Sequence, residues 1–362
     1  GFWRPFSLWS SVALALVLVV LVCLPKRDGS DSDLIGIMWT LYAYFSIYIA
    51  KYLFVIVDLI GKLPCLFGRG RIRACGLCGI VVATAAFALM WWGALVNRFN
   101  IDVRRVDVDV PGLPASMDGF TVAQISDLHV GTYGTDTAFV AKLVRRVNAL
   151  HPDLIVFTGD IVNRRSTELE PFVATLGRLS APEGVLSVLG NHDYGDYYDW
   201  PSAAARQADR RHLHELEKSM GWNLLNNATA AITRPDGTLA VIGVENIGDP
   251  PFPVYGDLDN AYPGDLADSV PKILLSHNPA HWDADIKDSP DKNIALTLSG
   301  HTHAMQISAG GLSPAVFRYP LWGGMYTDQD GHSLYVNIGV GEVGIPARIG
   351  ATPEITLFTL RP

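Results

Sequence analysis

Three long apolar stretches lie within the first 98 residues and limit what this part of the chain can fold into. They cover Phe6–Leu24, Leu34–Val57 and Ala74–Asn97, and Lys51 is their one charged side chain. Each is close to the ~20 residues that a helix needs to cross the hydrocarbon core of a bilayer. We therefore expect a membrane domain over residues 1–98 with about three transmembrane helices, and a second domain over residues 99–362.

Two alternatives concern the start of the chain. The first apolar stretch also resembles a secretory signal peptide, although that interpretation does not account for the other two stretches. The chain begins with Gly1 rather than Met, so a preceding segment with a further helix stays open as an expectation.

Basic residues between the apolar stretches predict the orientation in the membrane. Four of them separate the second and third stretches: Lys62, Arg69, Arg71 and Arg73. Loops rich in Lys and Arg stay in the cytoplasm, so we expect a multi-pass protein of the cytoplasmic membrane with an extracytoplasmic second domain. Lys26 and Arg27 in the first loop are accompanied by three aspartates, and the arginines that follow Asn97 weaken this prediction.

Charge and cysteine content argue against several classes of protein. The net charge of −8 makes nucleic-acid binding through a general basic surface unexpected. All four cysteines precede residue 79, so no disulfide framework stabilises the second domain. Cys75 and Cys78 resemble a redox or zinc pair, but they lack a second pair and fit the interior of an apolar helix better.

From about residue 100, short apolar segments alternate with amphipathic ones, which is typical of an α/β layered domain. Strands are predicted at Phe120–Ile125, Leu154–Thr158, Val185–Leu189, Leu239–Val244, Ile273–Leu275 and Ile294–Leu298. Helices are predicted at Asp136–Leu150, Pro171–Leu179 and Ala203–Met220.

Five short polar blocks occur where predicted strands end. They are Asp127-Leu-His129, Gly159-Asp160, Gly190-Asn191-His192-Asp193, His277 and Gly300-His301-Thr302-His303. Loops at the carboxyl ends of strands line the ligand crevice of α/β sheets, so these distant residues are expected to meet. Their carboxylate, imidazole and carboxamide groups suit borderline divalent metals such as Mn, Fe, Zn or Co.

These residue types fit a site for two divalent metal ions. Asp127 and His129 can reach one ion from one strand end, and Asp160 can bridge two ions because a carboxylate has two oxygens. The remaining ligands are expected to be Asn191, His277, His301 and His303. Two ions ~3.5–4 Å apart can hold a hydroxide and bind phosphoryl oxygens, which indicates a metal-dependent phosphoric ester or pyrophosphate hydrolase. The alternative interpretation is that these residues only form turns and that the histidines are buried core residues whose hydrogen bonds are satisfied.

His192 is expected to be the catalytic imidazole at the rim of the metal pair, because it adjoins Asn191. Asp193 is expected to hold the His192 ring and to raise its basicity. His192 would then protonate the leaving group or stabilise the charge on the phosphate. The other histidines are expected either at the surface or next to the metal ligands, where they would support them without binding metal. His281 is the first candidate for such a supporting residue.

At these residues the chain resembles the calcineurin-like metallophosphoesterase superfamily, whose signature is D-x-H, G-D, G-N-H-D, a single H and G-H-x-H. The resemblance spans Phe120–Pro362. It implies one metal bound by Asp127, His129, Asp160 and His303. It implies a second metal bound by Asp160, Asn191, His277 and His301, with His192 as the catalytic imidazole. The implied fold has four layers, with two mixed β-sheets sandwiched by helices.

Within the superfamily, the chain looks most like a bacterial branch of membrane-associated or exported phosphoesterases. The resemblance lies in the opening Ser126-Asp-Leu-His129 and in the tail Val343-Gly-Ile-Pro-Ala-Arg348. That branch usually follows G-H-T-H with two glycines, whereas this chain has Ala304 and Met305. The approach of the backbone to the substrate is therefore expected to differ.

The sequence leaves the substrate open. Loop aromatic residues either form an acyl-chain groove or pack in the ordinary way: Tyr194, Tyr197, Tyr198, Trp200, Phe252, Tyr255, Tyr319, Trp322 and Tyr326. Arg318 or Arg348 could bind a phosphate. The first hypothesis is a lipid-linked phosphoester or pyrophosphate beside the bilayer. The second is an extracytoplasmic phosphodiesterase or phosphatase for soluble or cell-wall phosphates, tethered by the helices, and the third is a non-catalytic membrane protein.

Overall fold

The computed structural model describes residues 3–23, 29–249, 252–287 and 293–362. Lys26 and Arg27, which entered the prediction of orientation, lie outside the described residues. The chain forms two units, the first made of Gly1–Arg98 with Gly344–Ile349 and the second of Phe99–Val343 with Gly350–Pro362. The sequence predicted a single boundary at residue 98 and did not predict that residues 344–349 belong to the first unit.

The first unit is built on three helices. They are α1 (Trp3–Cys23), α2 (Asp31–Lys62) and α3 (Arg73–Leu95). Two helical segments, Asp31–Phe67 and Arg73–Phe99, are long and apolar enough to cross a membrane, and only 6% of each apolar window is buried. The apolar helical stretch of α1 among the described residues is shorter, covering Ser11–Val20. Two of the three predicted spans thus meet the length that a bilayer requires.

A small cluster joins α2 and α3 to the returning segment within this unit. Tyr42, Ala94 and Ala347 form its buried part. The Asn97 side chain donates a hydrogen bond to the Arg348 carbonyl at 2.9 Å. Arg348, considered above as a phosphate ligand, belongs to this helical unit, and its side chain is fully buried.

The described residues of the second unit form two six-stranded sheets and four α-helices. The strands are β1 (Asp102–Asp109), β2 (Thr121–Ile125), β3 (Leu154–Phe157), β4 (Val185–Ser187), β5 (Asn223–Leu224), β6 (Ala228–Arg234), β7 (Gly237–Gly243), β8 (Lys272–Leu275), β9 (Ile294–Ser299), β10 (Gly324–Thr327), β11 (Ser333–Val336) and β12 (Glu354–Arg361). The helices are α4 (Ala138–Asn148), α5 (Val173–Leu176), α6 (Ala203–Ser219) and α7 (Leu258–Ala261). The strand orders are β1-β12-β2-β3-β4-β5 and β10-β11-β9-β8-β7-β6, and both sheets mix parallel and antiparallel pairs.

Apolar side chains on both faces of the sheets produce four layers. One cluster, which includes Val156 and Leu298, lies between the two sheets. A second cluster packs α4 and α6 on the outer face of the first sheet through Leu143 and Leu213. A third packs α7 on the second sheet through Leu258. The predicted fold of two mixed sheets with helices outside them is confirmed.

Most predicted elements match the structure, and the differences have local causes. The six predicted strands correspond to β2, β3, β4, β7, β8 and β9, with ends that differ by at most two residues. The predicted helix at Pro171–Leu179 is wrong in extent, because only Val173–Leu176 is α-helical after a 3-10 turn at Glu170–Phe172. The apolar pattern also missed β1, an edge strand with mostly charged side chains that pairs in parallel with β12.

A buried carboxyl of α6 makes the stability of this unit depend on pH. Burial raises the pKa of Glu217 from its ordinary value of 4.5 to about 7, although a hydrogen bond from Ser187 at 2.5 Å opposes this. The folded chain thus keeps a proton that the unfolded chain releases near pH 4.5. The stabilising contribution is present below pH 4.5 and is lost as the pH rises to about 7, at a cost of about 3 kcal/mol.

We expect Glu217→Gln to remove this part of the pH dependence. Thermal unfolding of the full chain in detergent at pH 5 and pH 8 measures it, and the variant should lose less stability than the native chain between the two values. Glu215→Gln is the matched control, because its side chain is 76% exposed on the same helix. An unchanged pH dependence in Glu217→Gln would contradict the prediction.

Candidate metal centre

The ends of five strands bring the predicted polar blocks together. In the first sheet β2, β3 and β4 are parallel neighbours, and in the second sheet β8 and β9 are parallel neighbours. The Asp127 N–H donates to the Gly159 carbonyl at 2.9 Å, which joins the first two loops. The Gly300 N–H donates to the His277 carbonyl at 3.0 Å, which joins the last two.

One group of donor atoms is formed by Asp127, His129 and His303, whose ligand atoms all lie within 4.8 Å of one another. The His129 and His303 Nε2 atoms are 3.1 Å apart. The Asp127 Oδ1 atom lies 3.2 Å from His303 Nε2. Asp160 borders the group, since its Oδ2 atom is 3.6 Å from His129 Nε2.

A second group of donor atoms is formed by Asp160, His277 and His301, again within 4.8 Å of one another. Asn191 joins it, because its Oδ1 atom lies 2.9 Å from His301 Nδ1 and 3.2 Å from His277 Nε2. The Asp160 Oδ2 atom is 3.2 Å from His277 Nε2. The same Asp160 oxygen therefore borders both groups.

The donor atoms fit metal ions. The His277 Nδ1–H group donates to the Thr158 carbonyl at 2.8 Å, so its Nε2 atom faces the cluster. Asp127, His129 and His277 are fully buried. Buried carboxylates and imidazoles that converge at these distances are costly without a cation between them. All seven predicted ligand residues lie in this cluster.

The carboxylates of the cluster are held in their charged form. Burial raises the pKa of Asp127, but the charge of His303 and its hydrogen bond outweigh burial and leave the pKa below its ordinary value. Burial also raises the pKa of Asp160, and neighbouring imidazoles, His277 first among them, reverse the effect. Burial lowers the pKa of His277, yet Asp160 raises it to about 9. The two aspartates are therefore available as anionic ligands.

Five of the seven predicted ligands have a left-handed backbone conformation. Their φ angles are 54° for Asp127, 45° for His129, 60° for Asp160, 77° for His301 and 50° for His303. Residues other than glycine rarely adopt this region, although Asp and His tolerate it better than most. Such strain persists where the surrounding structure enforces it, and it concentrates at functional sites.

Residues next to the ligands show how closely the loops approach. A Cβ atom on Gly159 would lie 2.5 Å from the Gly190 nitrogen and 2.8 Å from His277 Nδ1, so only glycine fits there. Ala304 and Met305, at the positions where the bacterial branch usually has glycine, adopt φ angles of 51° and 47°. This chain therefore carries backbone strain that two glycines would avoid.

The comparison with known proteins agrees with this geometry. The calcineurin-like phosphoesterase family matches residues 120–305, a segment that contains every predicted ligand. The chain belongs to this family. The predicted superfamily is confirmed.

Three relatives illustrate the similarity of this phosphoesterase. It is 34% identical over 258 residues to an uncharacterized metallophosphoesterase of Bacillus subtilis, which covers 69% of this chain and 82% of that protein. It is 33% identical over 265 residues to a transmembrane protein with a metallophosphoesterase domain from Danio rerio, covering 71% of this chain and 57% of that protein. It is 28% identical over 329 residues to the UDP-2,3-diacylglucosamine pyrophosphatase of Chlamydia trachomatis, covering 76% of this chain and 94% of that protein.

His192 lies at the edge of the donor cluster of the phosphoesterase, where one of its ring nitrogens forms a third group with donor atoms of His129 and Asp160, all within 4.8 Å of one another. Its ring is 4.8 Å from the His129 ring and perpendicular to it. Its Nδ1–H group donates to the Asn163 carbonyl at 2.7 Å, which leaves Nε2 as the ring nitrogen available to a substrate. The Tyr197 ring stacks on the His192 ring, with ring centres 4.1 Å apart.

The predicted role of Asp193 is wrong. Its carboxylate does not hold the His192 ring but accepts backbone N–H groups of Asp160, Ile161 and Gly190 at 2.8, 3.0 and 2.8 Å. The buried side chain thus joins the loops after β3 and β4. The reason is geometric, since the buried Asp193 carboxylate faces the backbone N–H groups of these two loops while His192 Nδ1 faces the Asn163 carbonyl.

Other residues considered from the sequence lie outside the donor cluster. Tyr194 is fully buried and stacks on Tyr255 at 4.0 Å, so ordinary packing explains this pair. His281 is buried and contacts Ser276 at 2.9 Å, outside the donor cluster. Sequence reasoning missed Asn163, because a backbone carbonyl in a loop has no sequence signature.

Proposed function

We propose that this chain is a hydrolase of phosphoric esters or pyrophosphates that works with two divalent metal ions. The observation that carries this proposal is the arrangement of two donor groups that share the Asp160 carboxylate. When bound, two ions in this arrangement supply positive charge for the phosphoryl group and lower the pKa of the attacking water. Asp127, His129, Asp160 and His303 would hold one ion, and Asp160, Asn191, His277 and His301 the other.

The residues around the donor groups orient the catalytic imidazole. The Asn163 carbonyl fixes which nitrogen of His192 carries the proton, so Nε2 faces the substrate. His192 would stabilise the phosphate charge or deliver a proton to the leaving oxygen. The chemistry is tested by hydrolysis of a chromogenic phosphodiester before and after chelation, with Mn²⁺ added back. Turnover that is indifferent to the chelator would contradict it.

We further propose a lipid-linked substrate, which the exposed side chains of the second unit support. Eight large apolar side chains are exposed among its described residues. Seven of them lie in two loops and are named here the apolar rim: Phe252, Val254, Met305, Ile307, Leu312, Val316 and Phe317. Apolar patches of this kind mark sites of interaction with membranes, ligands or proteins.

The apolar rim is connected to the donor cluster through its polar neighbours. The Arg318 guanidinium pairs with Asp249 at 3.0 Å, which joins the two loops of the rim. The Tyr319 ring lies 5.4 Å from the His301 ring. A cavity of about 310 Å³ opens between these residues and Asn278. Charged side chains, including Arg318, line this cavity, and the exposed apolar rim lies in the same two loops. A phosphoester with a polar headgroup and acyl chains matches this combination.

We expect the double variant Leu312→Ser with Phe317→Ser to impair turnover of lipid phosphates selectively. These side chains are 77% and 92% exposed, so the fold does not depend on them. The apparent KM for a micellar lipid phosphate should rise about tenfold, since two lost apolar contacts cost roughly 1.5 kcal/mol or more.

A soluble substrate and a control variant show whether the effect is specific to the lipid and to the apolar rim. Turnover of a soluble chromogenic phosphodiester should stay unchanged in the double variant. Met325→Ser is the matched control, because Met325 is exposed on β10 outside the rim. An equal loss on both substrates, or no loss on the lipid, would sink the proposed substrate class.

Membrane anchoring by the first unit is part of the proposal. Two helices of sufficient length and the name of the Danio rerio relative support it. The Chlamydia trachomatis relative is named for an acylated substrate, which supports the lipid-linked class. The chain spans 57% of the length of the Danio rerio relative, so its anchoring and its substrate are proposals.

A second candidate function follows from the basic loop between α2 and α3. Lys62 and three arginines favour an extracytoplasmic phosphoesterase, acting on soluble or cell-wall phosphates. A topology reporter fused after Pro362 discriminates the two candidates in part, because a cytoplasmic signal removes the cell-wall substrate.

A further inference from the structure

Tyr197 contacts two functional residues of the candidate metal centre at once. Its hydroxyl oxygen accepts a hydrogen bond from the Asn191 Nδ2 atom at 2.8 Å. Its ring stacks on the His192 ring, with centres 4.1 Å apart and planes inclined by 16°. The sequence left open whether Tyr197 forms part of an acyl-chain groove or packs in the ordinary way, and the structure places it against the donor cluster.

The hydrogen bond decides which atom of the Asn191 carboxamide faces the cluster. A carboxamide has an oxygen at one end and an NH₂ group at the other, and only the oxygen can bind a cation. With the NH₂ group directed to the Tyr197 hydroxyl, Oδ1 lies 2.9 Å from His301 Nδ1 and 3.2 Å from His277 Nε2. A rotated amide would instead direct two N–H groups toward the metal position.

The stacked ring restricts the His192 imidazole. The Asn163 carbonyl fixes one edge of the imidazole through Nδ1, but a single hydrogen bond still allows the ring to tilt. The Tyr197 ring covers one face at contact distance and removes that freedom. Nε2 is then kept in one direction, which proton transfer to an oxygen requires.

The loop that carries Tyr197 is itself fixed to the scaffold. Gly195 adopts a φ of 71°, and its carbonyl accepts the Trp200 indole N–H at 2.8 Å. Asp196 forms an ion pair with Arg206 of α6 and accepts a hydrogen bond from the Tyr255 hydroxyl at 3.2 Å. The position of Tyr197 is therefore set by α6 and the neighbouring loops and does not need a ligand.

We propose that Tyr197 is a positioning residue with two separable roles. Its hydroxyl selects the amide orientation of Asn191 that can bind a metal ion, and its ring orients His192. The first role concerns metal binding by the free protein, and only the second rests on the proposed hydrolytic function.

Three variants of the full chain in detergent separate the roles. Tyr197→Phe removes the hydroxyl and keeps the ring, and Tyr197→Leu removes both. Tyr198→Phe is the matched control, since the Tyr198 ring packs on Trp200 at 4.5 Å, away from Asn191. Each variant is titrated with Mn²⁺ alone, and kcat on a chromogenic phosphodiester is then measured at saturating Mn²⁺.

Tyr197→Phe should weaken binding of one of the two Mn²⁺ equivalents about 10- to 100-fold, and excess Mn²⁺ should restore kcat. Tyr197→Leu should weaken the same equivalent and also keep kcat about tenfold low at saturating Mn²⁺. Tyr198→Phe should change neither quantity. A general loss of folding would lower the melting temperature and would not respond to Mn²⁺ in this graded way.

Two results would overturn the inference. Native Mn²⁺ affinity in Tyr197→Phe would remove the role of the hydroxyl, and full recovery of kcat in Tyr197→Leu would remove the role of the ring. If Tyr197→Leu does not fold, a second ring replacement, Tyr197→Met, is used for the second role. If no ester is hydrolysed by the native chain, the proposed function fails, yet the Mn²⁺ titration still decides the first role.

Discussion

Asp160→Asn is expected to abolish nearly all hydrolysis, with a loss of at least ~10³-fold in kcat on a chromogenic phosphodiester. Asp160 borders both donor groups through one oxygen, which lies 3.2 Å from His277 Nε2 and 3.6 Å from His129 Nε2. Removing its charge weakens both metal positions, and several kcal/mol of lost transition-state stabilisation correspond to this factor. Metal analysis of the purified chain should show fewer bound ions per protein.

Asparagine is a suitable replacement because it keeps the size of the side chain and tolerates the φ of 60° at this position. Asp153→Asn is the matched control. Its carboxylate accepts hydrogen bonds from Thr121 at 2.7 Å, at the opposite ends of the same strands. Asp153→Asn should lower stability without changing the metal content. Native turnover in Asp160→Asn, or an equal loss of metal in both variants, would disprove the shared carboxylate.

His192→Ala is expected to lower kcat by ~10²–10⁴-fold while the metal content stays native. The His192 ring lies beside the donor groups but is oriented by Asn163 and Tyr197, with Nε2 left for the substrate. If His192 protonates the leaving oxygen, the loss should be smaller for a p-nitrophenyl ester than for an alkyl ester. A good leaving group needs no proton, so this ratio reports the role of the imidazole.

His281→Asn is the control for His192→Ala. His281 is a buried histidine near the site, but it contacts Ser276 at 2.9 Å and lies outside both donor groups. Replacing His281 should leave the ratio of kcat on the p-nitrophenyl ester to kcat on the alkyl ester unchanged. Equal losses on both esters in His192→Ala would exclude proton donation and leave charge stabilisation as the role of the imidazole.

The layered fold was predictable from short-range patterns. Strands such as β3 are buried at every position and consist of apolar residues, so they read as continuous apolar segments. Their spacing with amphipathic helices such as α4 indicates a layered α/β domain. The pattern failed for β1, because an edge strand exposes most side chains and its partner β12 lies at the other end of the chain.

The positions of the seven predicted ligands were also accessible from the sequence. Each follows a buried strand, and the carboxyl ends of parallel strands meet at one edge of a sheet in any α/β domain. This rule needs no knowledge of the remaining chain. It explains why residues as distant as Asp127 and His303 could be assigned to one cluster, where they lie 3.2 Å apart.

How these side chains are held depends on contacts that no local pattern encodes. Asp193 joins two loops instead of orienting His192, and the Asn163 carbonyl and the Tyr197 ring take that place. The short segment Gly344–Ile349 joins the helical unit although it follows the last predicted site residue. Residue type and spacing along the chain thus fix which groups reach the sheet edge. The folding of distant loops onto one another decides their orientation, because hydrogen bonds and ring contacts depend on distances in space rather than on order in the sequence.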